Sequence, residues 1–341
     1  MDRRDFFKKS MGAAAALGAG GLLGCGRANP RAEVPVETIN EAIATSQTAS
    51  AQAATATRVG SSRFLDAAPG DAHVAVASKQ APADLVTAAI DAFGEREAIF
   101  KQGDKVVIKP NLAWAREPSV GANTHPEVLK AVIQLAKDAG AGEVVVAEHS
   151  CVKSMISFEM SGAKEVCEAL GVRLVGLDSE AMYEEQTVGG VNIDKDLLAR
   201  EILESDVYIN LPCLKHHGGS TVTISMKNPM GTNWDRQRYH SSGSAGDASL
   251  NLHQNIADLA KVLRPTLVIV DATRALKTSG PQGPGELERT ETIIVSHDMV
   301  AADAVGAQML GHAPDKIPHI RLAAEKGVGR MDLETLDIAR V

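Results

Sequence analysis

The side chains best suited to chemistry are concentrated between residues 206 and 231, in the stretch DVYINLPCLKHHGGSTVTISMKNPMG. Lysine can hold an anion, histidine can transfer a proton or bind a metal, and glycine lets the backbone approach a ligand. The candidates in this stretch are Lys215, His216, His217, Lys227 and Asn228. The stretch therefore predicts a site for a small anionic substrate, and the alternative is a polar loop at the edge of a sheet.

Five apolar, strand-like runs of the chain end in polar side chains at their carboxyl ends. These end groups are Lys109 with Asn111, Glu148 with His149, Lys215 with His216 and His217, Asp271 with Thr273 and Arg274, and His297 with Asp298. The alternation of strands and helices predicts an α/β fold with a mostly parallel twisted sheet and helices on both faces. Parallel strands place their carboxyl ends at one edge, where ligands bind, so we expect these groups to surround a single cavity.

Within that cavity each residue type suggests a role. The predicted catalytic residues are His216, His217, Lys215 and Lys227. The predicted substrate-binding residues are Lys109, Asn111, Asn228 and His149. Adjacent side chains of an extended chain point to opposite sides, so only one of the two neighbouring histidines should face the site. The alternatives are solvated surface lysines and amides that only close turns.

Three carboxylates could hold a divalent metal or act as a base: Asp271, Asp298 and Asp303. Asp298 also suits the N-cap of a helix, and Asp303 lies in an apolar helical sequence, where one of the lysines would serve as its partner. Adjacent histidines are not a zinc spacing. No two of the four cysteines form a CxxC pair, so an iron–sulfur cluster is not expected.

One geometric condition applies to Lys215 and Lys227. If residues 220–226 formed an extended strand, the rise of ~3.3 Å per residue would place its ends about 20 Å apart. The two lysines can therefore share a cavity only if this segment coils or the chain doubles back. We expect a bend or a helix there.

The amino terminus is predicted to direct export. Residues 3–9 read RRDFFKK, a twin-arginine pattern, and a short apolar run over residues 11–23 follows. The sequence Leu22-Leu23-Gly24-Cys25 resembles a bacterial lipobox, which implies lipid on Cys25 and a location in the periplasm or on the outer face of the cell membrane. The alternative is an ordinary twin-arginine signal that is simply cleaved.

The predicted organisation has three parts: a signal peptide over residues 1–24, a flexible tether over 25–70 and a single α/β domain over 71–341. The tether is rich in Ala, Ser, Thr and Gln. The net charge is -8 and aromatic residues make up 3%, so nucleic-acid binding is not expected, because a basic groove with stacking rings is missing. We expect a lipid anchor to be the only membrane contact.

Several motifs resemble the "domain of unknown function 362" family of bacteria and archaea. They are the sequence VIKPN at 107–111, THP at 124–126, LKHH at 214–217, MKNPMG at 226–231, the loop over 280–285 and DMVAAD at 298–303. The resemblance spans residues 73–312 and implies no settled activity. Some family members look like iron–sulfur proteins through an added cysteine-rich module, which this chain lacks. The amino-terminal pattern of the family is also similar to that of nickel-dependent lactate racemases.

These observations support three hypotheses. The first is an envelope-anchored enzyme that acts on a small anionic substrate, with or without a divalent metal. The second is a non-catalytic ligand-binding or redox-accessory lipoprotein. The third is a structural lipoprotein whose polar side chains only satisfy the strand ends.

Overall fold

The computed structural model describes residues 73–94, 96–244 and 248–341 of the chain. The predicted signal peptide, Cys25 and the tether lie outside the described residues. In the described residues the strands are β1 (His73–Ser78), β2 (Lys105–Pro110), β3 (Glu143–Glu148), β4 (Arg173–Gly176), β5 (Tyr183–Thr187), β6 (Lys195–Ala199), β7 (Val207–Leu211), β8 (Cys213–His217), β9 (Thr221–Thr223), β10 (Leu267–Leu276), β11 (Leu287–Glu288), β12 (Thr292–Ser296) and β13 (Asp337–Arg340).

The α-helices in the same residues are α1 (Pro82–Phe93), α2 (Arg96–Ile99), α3 (Pro126–Asp138), α4 (Ser154–Met160), α5 (Ala163–Leu170), α6 (Arg200–Leu203), α7 (Arg236–Ser241), α8 (Ala248–Val262), α9 (Met299–Met309) and α10 (Pro318–Glu325). Short 3-10 helices lie at Pro118–Val120, Glu180–Met182, Asn228–Thr232 and Pro314–Lys316. None of these helices combines the length and the apolarity that a membrane span requires.

The main sheet follows the order β13-β1-β12-β10-β7-β2-β3-β4, and the strands from β10 to β4 in this order are parallel. The central strands are buried on both sides: Val107 packs in one apolar cluster, whereas Val106 and Ile108 pack in the other. This two-sided burial explains their continuous apolar runs, because a strand with one solvated face would alternate apolar and polar residues. The predicted α/β fold with a mostly parallel sheet is confirmed.

One strand end lies at the wrong edge for the predicted site. β12 pairs antiparallel with both of its neighbours, β1 and β10, and Ser296 at its carboxyl end lies opposite Val268 near the start of β10. The residues that follow, His297 and Asp298, therefore emerge at the edge opposite Asp271. The expectation that all five polar ends share one edge is wrong for this strand, because the apolar pattern of a strand does not encode its direction.

The chain doubles back between the two lysines of the motif stretch. After Leu211, Pro212 cannot donate to the ladder of β7, and β8 begins at Cys213, where it pairs with a later part of β10, the strand that also borders β7. β8 then forms an antiparallel hairpin with β9, and the turns after β9 lead into the 3-10 helix at Asn228–Thr232. The hairpin, rather than a bend or helix alone, returns the chain to the cavity that holds Lys215.

Candidate functional site

A cavity of about 590 Å³ opens at the carboxyl edge of β2 and β3. Three lysines line its wall: Lys109, Lys215 and Lys227. We call this cavity the lysine cavity. Arg236 adds a fourth cation, and Glu148 and Asp235 are the acidic residues of the lining. Four cationic side chains against two acidic ones give the cavity an excess of positive charge, which attracts anions.

The deepest part of the lysine cavity is a buried ion pair. Lys109 Nζ lies 2.8 Å from Glu148 Oε2, and both side chains are almost completely buried. Glu148 Oε2 also accepts a hydrogen bond from the backbone N–H of Leu112 at 2.9 Å. Burial lowers the pKa of Lys109, and the neighbouring Glu148 carboxylate opposes that effect. Lys109 is therefore already neutralised by a protein partner.

Two asparagines hold the lysines in place. Asn228 Oδ1 accepts hydrogen bonds from Lys109 Nζ at 2.9 Å and from Asn111 Nδ2 at 3.1 Å. Lys215 Nζ donates to Asn111 Oδ1 at 3.1 Å and to the backbone carbonyl of Ala122. Both amides, predicted as substrate-binding groups, thus form a continuous network between two ammonium groups. Their observed contacts position the lysines.

Gly231 is needed because this network leaves no room for a side chain. A Cβ atom at this position would lie 2.0 Å from Glu148 Oε1 and 2.7 Å from Lys109 Nζ. The backbone of the 3-10 helix can therefore approach the ion pair only through a glycine. The same residue accepts a hydrogen bond at its carbonyl from the backbone N–H of His149, at 3.0 Å.

Lys227 differs from the other two lysines because it lacks a charged partner. It is buried, and its ammonium contacts only the thioether of Met230, at 3.7 Å, among the described residues. Burial, with Lys215 and Lys109 nearby, lowers the pKa of Lys227 to about 8. Burying an ammonium group without a counter-charge costs folding free energy. Lys227 is therefore the strongest indication that the cavity binds a ligand.

The two adjacent histidines separate as expected for an extended chain. His217 lines the lysine cavity together with Lys215, two positions earlier on β8, whereas His216 is not part of its wall. His217 Nδ1 accepts hydrogen bonds from the backbone N–H groups of Gly219 at 3.0 Å and Ser220 at 3.1 Å. Burial lowers the pKa of His217 to about 2. The neutral ring therefore carries its proton on Nε2 and can donate to a ligand.

His149 has the opposite arrangement of its ring nitrogens. Its Nδ1 lies 2.9 Å from the backbone carbonyl of Asn233, so Nδ1–H donates and Nε2 keeps a lone pair. Burial lowers the pKa of His149. The ring stacks on Trp234 with centroids 5.6 Å apart and an angle of 6° between the ring planes. His149 can thus accept a proton at Nε2, whereas His217 cannot do so in its neutral form.

The model of the family described as "Domain of unknown function (DUF362)" matches residues 106–308, which include every residue of this network. The chain belongs to the DUF362 family. The match confirms the resemblance noted in the sequence motifs. It adds no activity, since the family description names none.

The chain is similar to a protein from each of two other organisms, to different degrees. A thylakoid-associated protein of Synechocystis sp. is 28% identical over 240 residues, covering 70% of this chain and 73% of the relative. A crystal structure of a protein from Thermotoga maritima aligns with a TM-score of 0.37 at 10% identity and covers 72% of this chain. The chain spans 57% of the length of that Thermotoga protein.

Asp271 and Asp298, two of the predicted metal ligands, bind the backbone at separate places in the DUF362 fold. Asp271 accepts hydrogen bonds from the backbone N–H groups of His125 at 2.7 Å and Thr273 at 3.0 Å. Asp298 caps α9 through the N–H groups of Val300 and Ala301, and it lies at the opposite edge of the sheet. The two carboxylates therefore cannot share one ion.

Asp303 is buried against the backbone of the two residues that precede Lys227. Its carboxylate accepts from the N–H of Ser225 at 2.7 Å and of Met226 at 3.1 Å, and burial raises its pKa to about 7. The expectation that a lysine pairs with Asp303 is wrong, because backbone N–H groups and the Ser225 hydroxyl donate hydrogen bonds to this carboxylate. The described residues contain no group of three or more His, Cys, Asp or Glu side chains arranged for a metal, so metal binding stays a prediction.

The residues of the lysine cavity that sequence reasoning missed include Trp114, Trp234, Arg236 and His240. Arg236 donates to the backbone carbonyls of His149 and Ser150 and so fixes the loop after β3. Burial lowers the pKa of His240 to about 4. Three of these residues follow the MKNPMG motif closely, so the polar and aromatic composition of NWDRQRYH was an available signal.

Proposed function

We propose that this protein binds a small anion in the lysine cavity. The observation that carries the proposal is Lys227, a buried ammonium without a carboxylate partner among the described residues. Removing an ammonium from water is strongly unfavourable unless an opposite charge replaces the lost hydration. A bound carboxylate, sulfate or phosphate would supply that charge.

The other cavity donors support the same proposal. An ammonium group has three N–H bonds, and Lys215 uses two of them on Asn111 and Ala122. Lys109 likewise uses two, on Glu148 and Asn228. Lys109 therefore has one N–H left for a ligand, and Nε2–H of His217 is a further donor at the same wall. An anion would find several convergent donors that are already in position.

The test is the pH dependence of sulfate binding, measured by titration calorimetry at constant ionic strength. Because binding requires the charged form of Lys227, affinity should be highest below its pKa of about 8 and should fall as pH rises above that value. Sulfate itself does not titrate in this range. Lys227→Arg keeps its charge, so any sulfate binding that it retains should lose this pH dependence.

The control is Lys130→Arg, a change at an exposed lysine on α3. This variant should keep the wild-type profile. A wild-type affinity that stays constant from pH 7 to about pH 10 would contradict the role of Lys227, because the ammonium is mostly deprotonated at the upper limit.

A reaction on the bound anion is the second candidate function, and the geometry of His149 favours it. Its Nδ1–H is held by the carbonyl of Asn233, which leaves Nε2 ready to accept a proton, as in many general bases. Conversion of a bound anion by the wild type and not by His149→Gln, followed by proton NMR, would support catalysis. Binding without conversion in both proteins would leave the second hypothesis, ligand capture.

We also propose that the protein is exported by the twin-arginine route and held at the envelope by lipid on Cys25. Residues 3–25 support this proposal through the RRDFFKK pattern and the Leu-Leu-Gly-Cys sequence. The Synechocystis relative is named a thylakoid-associated protein, which is compatible with a location at a membrane. Mass spectrometry of protein purified from the native membrane tests the proposal. It should find a lipid-modified Cys25 at the amino terminus, and an unmodified Cys25 would refute the anchor.

A further inference from the structure

The lysine cavity has a wall of aromatic rings in addition to its cations. The protein has two tryptophans, Trp114 and Trp234, and both line this cavity. Aromatic residues make up only 3% of the sequence, so placing both tryptophans here is not a consequence of an aromatic-rich chain. We call these two residues and the ring of His149 the ring wall.

Two rings of the ring wall, Trp234 and His149, pack against each other and against a third ring. Trp234 stacks on His149 in nearly parallel planes, and Tyr183 packs against both rings with centroid distances of 5.5 and 6.0 Å. The backbone N–H of Trp234 donates to the carbonyl of Leu197 at 3.0 Å. Trp234 itself is half-buried, which leaves part of the ring accessible from the cavity. Such a preorganised aromatic surface binds a planar group at little entropic cost.

The indole N–H groups of the two tryptophans are also available to donate a hydrogen bond to a ligand. Within the described residues, neither indole N–H donates a hydrogen bond to a protein acceptor. A buried indole usually has a partner for this group, and at these half-buried rings a ligand oxygen could take that place. The cavity volume of about 590 Å³ is in the range of sites for organic ligands and far exceeds the space that one inorganic anion needs.

Resting on the proposed anion binding, we infer that the ligand is an organic anion with a planar ring. Its carboxylate or phosphate would lie at Lys227 and Lys215, and its ring would stack on Trp234, with Trp114 as the second aromatic contact. The substrate class of the lysine cavity is then an aromatic or heteroaromatic carboxylate or phosphate. This class excludes a free inorganic ion as the preferred ligand.

The test compares two matched pairs of anions on the full-length protein by titration calorimetry. The pairs are benzoate with acetate and phenyl phosphate with inorganic phosphate. In at least one pair, the ring-bearing member should bind about tenfold more tightly or better, because stacking on an aromatic side chain contributes at that scale. The pair that shows the difference identifies the acidic group.

Variants then locate the effect. Trp234→Leu should reduce the ratio of the two affinities to below about threefold, whereas Trp234→Phe should keep most of it, since phenylalanine retains an aromatic face. Thermal unfolding checks that each variant is folded, and Trp114→Leu gives an independent measurement at the second tryptophan of the ring wall. A ratio that stays at the wild-type value in both leucine variants would overturn the inference.

The outcomes separate this inference from the proposed function. If both members of each pair bind with equal affinity, the protein binds anions but the planar-ring inference is wrong. If none of the four anions binds, anion binding fails, and the inference that rests on it fails as well.

Discussion

Lys227→Met should abolish sulfate binding and at the same time make the ligand-free protein more stable. The buried ammonium lacks an ion-pair partner in the described chain, and methionine fills a similar volume without a charge. The pKa falls from an ordinary 10.5 to about 8 on folding, which corresponds to a destabilisation of about 3 kcal/mol at neutral pH. A gain in stability with a loss of binding is the signature of a residue kept for function.

The pH dependence of stability follows with a definite sign. A lysine with a lowered pKa in the folded state disfavours folding while it is charged, which is the case below about pH 8. Between about pH 8 and its ordinary pKa of 10.5, the folded state loses this proton before the unfolded state does. The Lys227 contribution should therefore raise the stability of the wild type over that interval, and Lys227→Met should lack this rise.

Urea unfolding at pH 7 and at pH 10, with and without sulfate, measures these effects. Lys130→Met, at an exposed position of α3, is the matched control and should change neither stability nor binding appreciably. If Lys227→Met binds sulfate like the wild type, the lysine cavity is not an anion site. If it binds no sulfate but is also less stable, Lys227 has a structural role that the observed contacts do not show.

Glu148→Gln should destabilise the fold severely. The carboxylate of Glu148 is the ion-pair partner of Lys109 Nζ at 2.8 Å, and both groups are buried. Removing one partner of such a pair leaves an uncompensated charge in the interior, at a typical cost of about 3–5 kcal/mol. The glutamine has nearly the same shape, so the loss reports charge rather than packing.

A double variant separates pairing from burial. Lys109→Met with Glu148→Leu removes both charges, and it should be less destabilised than Glu148→Gln alone, because no charge is left unpaired. Glu168→Gln, at an exposed position of α5, serves as the control and should have little effect. Equal destabilisation of the single and double variants would show that packing, and not the ion pair, holds this part of the cavity. Folded Glu148→Gln should still bind sulfate, since a negative charge has been removed from the site.

The two predictions assign different tasks to lysines that look alike in the sequence. Lys109 belongs to a buried, neutralised network with Glu148, Asn228 and Asn111, and its substitution tests the framework. Lys227 lies beside that network as an unpaired cation, and its substitution tests whether the cavity binds an anion. An uncompensated charge thus lies close to a buried ion pair, and this arrangement is the basis of the proposed preference for anions.

Several features of the site could be predicted from the sequence because they depend on local patterns. The alternation of strand-like runs with helices predicted a mostly parallel sheet, and the rule on strand ends placed Lys109, His149 and Lys215 at one cavity, as observed. Side-chain alternation on β8 predicted that a single histidine of the pair faces the site. These inferences use only periodicities of a few residues.

The direction of β12, the partners of each charged group and the ring wall were decided by the tertiary structure. An antiparallel neighbour moves Asp298 to the other edge, and Trp234 meets His149 only after the chain has doubled back through β9. Strand direction and ion pairing depend on contacts between residues far apart in the chain. The sequence by itself therefore determined which groups could do chemistry, and the packing of distant segments determined which of them are free to do it.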